Sequence, residues 1–165
     1  MQIIFVNKGL SQKMSIQTRT VSKKKLQRSL DLIIHFLKPK KIRNKLKLAA
    51  TELTVVWLSA AEMKKINCQF RNKNKPTDVL SFLSNDLSSF GELLLCPEVL
   101  QKQSREFKHS FEVETVTMIV HGILHLLGYD HKRSTAEDRL MLRLQKQILD
   151  YLSTENLTEN LTVQG

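Results

Sequence analysis

The stretch from Phe111 to Leu127 constrains this chain more than any other. Val113, Val116, Met118, Ile119, Val120, Ile123, Leu124 and Leu127 make it apolar around most of its girth. A helix of that kind has to be enclosed by the other elements, so the rest of the chain must wrap it. Yet it carries His121 and His125, and imidazoles inside an apolar helix are costly unless they are bound or hydrogen-bonded. Four residues apart, the two lie roughly 40° apart around the axis, on one face and one turn along. Gly128 follows as a residue able to end the helix in a left-handed turn. His131, three residues later, can fold back toward the first two. Three neutral imidazoles converging in this way form an open tripod, the arrangement of catalytic zinc, with a free position for water.

The eleven residues H-G-I-L-H-L-L-G-Y-D-H, 121–131, match the spacing H-E-x-x-H-x-x-G-x-x-H of one class of zinc peptidases at the glycine and all three histidines. Those enzymes use the Glu after the first His as general base. Here that position is Gly122, which can move no proton. The motif therefore predicts a metal site aimed at something other than a peptide. The other two histidines, His35 and His109, have no such spacing and read as ordinary.

Around this helix the sequence predicts a small mixed sheet covered by helices, an α/β (α+β) domain. Strands are expected at residues 3–6, 53–58, 79–83 and 91–95. Residues 21–37 repeat with helical period until Pro39 stops them. Ser59, with Glu62 three residues on, forms a capping-box pattern for a helix from about Ala60 to Phe70. Residues 71–78 read as a polar loop, and Pro97 suits the first turn of a helix reaching about Lys108. A last helix, capped by Ser134 or Thr135, runs from Ala136 to about Leu152 with Leu140, Leu144, Ile148 and Leu149 on one face. The expected organisation is one domain over 1–153 and a polar, disordered tail over 154–165, where N-L-T occurs twice.

Composition narrows the function. With 26 Lys and Arg against 16 acids, the chain carries a formal charge of +10, a field that draws polyanions. Basic clusters at Lys23-Lys24-Lys25, Lys38 to Lys47 and Arg71-Lys73-Lys75 favour nucleic acid. Few aromatics interleave them, so phosphate contacts rather than base stacking are expected. No apolar run approaches membrane-spanning length, and Met1 to Val6 has no basic segment before it, so it is read as no signal peptide. Cys68 and Cys96 stand alone, which suits a reducing, cytoplasmic compartment and makes neither a good zinc ligand.

The string 121–131 resembles the signature of the YbeY family, bacterial endoribonucleases of ribosomal RNA maturation. The stretch R-N-K-N-K-P-T-D-V-L-S-F, Arg71 to Phe82, is similar to that family's other hallmark, as is G-E-L-L-L-C-P from Gly91, although Glu92 stands where the family more often has Asp. The resemblance runs from about residue 3 to about 152. It implies a single zinc ion held by His121, His125 and His131, a functional arginine at Arg71 and a basic groove for RNA to which Lys73 and Lys75 would contribute. It further implies single-strand-type, metal-dependent cleavage of RNA phosphodiesters, acting on ribosomal RNA and ribosomal particles in 16S rRNA 3′-end maturation, ribosome assembly and quality control, with no membrane partner.

In such a site Arg71 would bind two phosphoryl oxygens as their charge grows. Asp130, beside the third histidine, would hydrogen-bond a ligand imidazole or cap a turn. No side chain of the motif is an obvious general base. The alternatives are a zinc peptidase or amidase, which Gly122 and the positive charge disfavour, and a non-catalytic RNA-binding assembly factor with a structural zinc.

Overall fold

A computed structural model describes residues 1–129 and 135–155. Four strands form one sheet: β1 (Gln2–Lys8), β2 (Glu52–Leu58), β3 (Val79–Phe82) and β4 (Ser89–Leu95). Their spatial order is β1-β2-β4-β3. β1, β2 and β4 run parallel, and the edge strand β3 is antiparallel to β4. The run L-T-V-V-W-L is central, as expected, and buried on both faces. Leu53, Val55 and Trp57 point to one face, and Val56 and Leu58 to the other.

Helices cover both faces. α3 (Ala60–Arg71) lies over the smaller core of Val56, Leu58, Met63, Leu80, Leu94 and Cys96. α2 (Lys23–Leu37), α5 (Phe111–Leu126) and α6 (Thr135–Thr154) enclose the larger core on the opposite face. α5 is the apolar helix of the sequence reading. It touches β3, β4, α2, α4 (Pro97–Glu106) and α6, so it is wrapped as its composition demands. Among the described residues no helix is long and apolar enough to cross a membrane.

Local signals mostly act as their chemistry requires. Ser59 Oγ accepts from Glu62 N at 3.3 Å. The capping box is only half made, because Ser59 N donates to Lys8 O and the Glu62 carboxylate takes Lys65 Nζ at 2.9 Å. A further helix, α1 (Gln12–Arg19), is capped by Ser11, whose hydroxyl accepts from Met14 N. It has no counterpart in the sequence reading: it is short and mostly polar, too weak a pattern to register. On α6, Met141, Leu144, Ile148, Leu149 and Leu152 face inward. Leu140, expected on that face, is 44% exposed; Met141 takes the inner place instead. The expected cap Ser134 and the tail beyond Glu155 lie outside the described residues.

Within the basic run Lys38 to Lys47, read from the sequence as favouring nucleic acid, Lys47 is turned inward. It sits in a short 3₁₀ turn (Lys45–Ala49) and is buried. Its ammonium donates to Ser84 O at 2.8 Å, Ser89 O at 2.9 Å and Asp86 O at 3.3 Å. One cation thus ties together the connection between β3 and β4. Lys47→Met keeps the stem and removes all three charged donors, so it should destabilise the fold by about 2–3 kcal/mol. Urea unfolding measures this; an unchanged midpoint would show that the three carbonyls do not need the charge.

Candidate metal centre and nucleic-acid surface

His121 and His125 lie on one face of α5, and their Nε2 atoms are 3.1 Å apart. The rings meet nearly edge to face, with centroids 4.7 Å apart and planes at 78°. His121 Nδ1 faces Gln145 Oε1 on α6 at 2.9 Å. An amide oxygen only accepts, so Nδ1 carries the proton and the Nε2 lone pair of neutral His121 points at His125. Two imidazole nitrogens this close must share a proton or face a common cation. Nitrogens bound tetrahedrally at about 2.0–2.1 Å stand about 3.3–3.4 Å apart. The pair therefore fits a metal ion in both donor chemistry and spacing. His131 and Asp130, the expected third ligand and its neighbour, lie outside the described residues.

The end of α5 is built as its glycine foretold. Gly128 adopts φ +88°. Its N–H reaches His125 O at 2.9 Å, and Tyr129 N reaches Leu124 O at 3.0 Å. This paired closure is the left-handed cap that lets the chain leave the helix just past His125. Arg43 braces the exit. Its guanidinium donates to Gly128 O at 3.3 Å and to Glu137 Oε1 at 2.8 Å, and it lies 5.4 Å from the centre of the Tyr129 ring. Arg43 therefore joins the basic run to both sides of the segment 130–134.

Gly122 faces the sheet, not the histidines. A Cβ there would come within 2.6 Å of Leu93 Cδ2 and 3.3 Å of Ser81 Oγ. Leu93 is fully buried, so it cannot swing aside. The position where zinc peptidases carry their base is here the contact between α5 and the sheet.

One acidic group escaped the sequence reading. Glu114 lies seven residues before His121, close to the same helix face, and is only 2% exposed. Its Oε2 is 3.0 Å from His109 Nε2. His109 Nδ1 faces Ser110 O at 3.2 Å, so in the neutral ring Nε2 is the acceptor and a protonated Glu114 can donate to it. Burial, aided by the nearby charge of Asp78, pushes the Glu114 carboxyl up to about 7. The available signal was an acid within an apolar helix at heptad spacing from a histidine. His109, read as ordinary, is its partner.

Arg71 ends α3, and Asn72 turns the chain through a left-handed conformation. The loop that follows is pinned at both ends. Buried Asn67 donates through Nδ2 to Lys75 O at 2.7 Å, and its carbonyl accepts from Lys73 N. Asp78 accepts from Thr77 Oγ1, Val79 N and, from α4, Gln103 Nε2. Arg71, Lys73 and Lys75 are all exposed. Among the described residues none of these three side chains forms an ion pair or hydrogen bond. Cys68 and Cys96 are free; Cys96 is buried, which pushes its thiol up to about 12.

Sheet, wrapped helix and imidazole pair define an α+β protein built around a histidine-bearing core helix. The family model described as Endoribonuclease YbeY matches residues 11–153, and the chain belongs to that family. A relative named Endoribonuclease YbeY from Bdellovibrio bacteriovorus is 41% identical over 152 residues, covering 92% of this chain and 95% of its own. Another of that name, from Aquifex aeolicus, is 33% identical over 142 residues, with 84% and 89% covered. The solution structure of TM1509 from Thermotoga maritima is similar with a TM-score of 0.59 at 28% identity, over 99% of both chains.

Two outcomes follow for α5. Gly122→Ala should lower stability by about 1 kcal/mol or more, because overpacking outweighs the gain in helix propensity; a variant as stable as the parent in urea would show slack at this contact. For Glu114, the unfolded chain releases the proton near 4.5, whereas the folded chain keeps it to about 7. Stability from this group therefore falls as pH rises through that window and levels off above it. Relative to Glu114→Gln, the parent's Tm should drop between about pH 5 and pH 8. A pH-independent difference would refute the raised carboxyl.

Proposed function

We propose that this chain is a zinc-dependent endoribonuclease, cutting RNA phosphodiesters with one zinc ion held by His121, His125 and His131. The observation that carries the proposal is the His121–His125 pair, with nitrogens 3.1 Å apart, in a chain matching an endoribonuclease family over residues 11–153. When bound, the ion would draw charge from a phosphoryl oxygen and make an attacking water more acidic. Gln145 fixes the His121 tautomer so that Nε2 is the donating atom. Asp130 would orient a ligand imidazole.

Arg71 is the catalytic cation, its planar fork matched to two phosphate oxygens. Lys73 and Lys75 hold the flanking phosphates, which makes binding salt-dependent. The substrate is ribosomal RNA within ribosomal particles, at the 3′ end of 16S rRNA, and residues 1–153 act as one domain in ribosome biogenesis. Two free cysteines suit a reducing cytoplasm. Gly122, packed on Leu93, removes the base that peptide hydrolysis would require.

Purified protein should carry about one zinc per chain, and His125→Ala should lose it; full retention of metal in that variant would remove the site. The parent should cut ribosomal RNA and leave casein intact. Cleavage of casein alone would transfer the chain to the peptidase reading. Arg71→Glu should keep its zinc and lose RNA cleavage, and undiminished cutting by it would exclude Arg71 from the site.

A further inference from the structure

The nucleic-acid surface contains an aromatic feature that the sequence spacing hides. Phe70, next to Arg71 at the end of α3, is 61% exposed. Its ring meets that of Phe82 on the edge strand β3, with centroids 5.1 Å apart and planes at 75°. The two lie twelve positions apart in sequence. Phe82 packs against the smaller core, so it braces Phe70 from beneath. Leu83, the next residue, is 63% exposed. A single exposed apolar residue is ordinary. Here a braced aromatic ring opens to solvent beside the exposed cations Arg71, Lys73 and Lys75, which have no acid partner among the described residues.

From this juxtaposition we infer that Phe70, held edge to face by Phe82, is a stacking platform for one unpaired base of the RNA. Arg71, Lys73 and Lys75 take the phosphates beside it. The inference rests on the endoribonuclease reading, single-strand action included, and adds the residue that holds an unpaired base: the ring of Phe70. A duplex keeps its bases stacked on one another and offers no face to the ring. An acidic protein would satisfy the cations but would leave the ring unmatched.

The parent contains one tryptophan, Trp57, which is 3% exposed, so Phe70→Trp installs a reporter at the platform. Its emission should be quenched saturably by oligo-adenylate and not by an RNA duplex of equal length. Phe70→Leu keeps an apolar contact with Phe82 but has no π face. It should bind oligo-adenylate at least about fivefold more weakly, the range of one lost base stack. Its duplex affinity, salt dependence, zinc content and Tm should stay at parental values. Binding by Phe70→Leu within twofold of the parent, or an equal loss on duplex and single strand, would overturn the platform. Quenching of Phe70→Trp by poly-glutamate as strong as by oligo-adenylate would assign the surface to an acidic protein. Failure of the parent to cut any RNA would overturn the endoribonuclease reading instead, since stacking is read from binding alone.

Discussion

The close approach of α5 to the sheet at Gly122 is the constraint on which the rest depends. With no side chain at 122, Leu93 of β4 and Ser81 of β3 come directly against the helix. That contact fixes how α5 is rotated. With position 122 turned to the sheet, His121 lies about 100° and His125 about 60° round the axis from it, so both stand at the border of that contact, only partly buried, and His121 meets Gln145 of α6. A Glu at 122 could reach the histidines only by unpacking the core. The missing peptidase base and the tight helix–sheet contact are one fact seen from chemistry and from packing.

The positive charge divides in the same physical way. Lys47 and Arg43 belong to one basic run, yet both are engaged by the fold itself, Lys47 buried and Arg43 at the surface. Lys47 binds three carbonyls between β3 and β4, and Arg43 bridges Gly128 and Glu137. Neither is a free field for a polyanion. Arg71, Lys73 and Lys75 sit instead on a loop whose backbone is held by Asn67 and Asp78. A pinned backbone with exposed cations is what a phosphate surface requires: the charges are positioned, and among the described residues no carboxylate competes for them.

Where a signal is local, the sequence carried it. The alternating faces of β2, the cap at Ser59, the apolar girth of α5 and the left-handed Gly128 each follow from neighbours within a few residues. What depended on distant partners was not legible. The order β1-β2-β4-β3 comes from crossovers. Gln145 reaches His121 from another helix, and the Lys47 carbonyls lie some forty residues away in sequence. Leu140 failed for a finer reason. Leu140 and Met141 lie 100° apart on a helix, and a small rotation of α6 decides which one is buried. The Phe70–Phe82 pair is invisible along the chain, because the edge strand brings the second ring across space from twelve positions away.

Gln145 also bears on why the proposed site suits a polyanion. Histidine ligands are commonly oriented by a carboxylate, which strengthens the ligand as a donor and adds negative charge beside the ion. Here a neutral amide oxygen sets the His121 tautomer at 2.9 Å. Glu114, the one buried acid among the described residues of the core, stands seven residues away on α5, its carboxyl pushed up to about 7 by burial and set against His109. At Nδ1, then, His121 is oriented by a neutral amide. In the proposed enzyme three neutral imidazoles leave the ion its full charge, and the amide at His121 adds no negative charge beside it. A phosphodiester, which arrives negative and gains charge as it reacts, is the substrate that profits most from this arrangement.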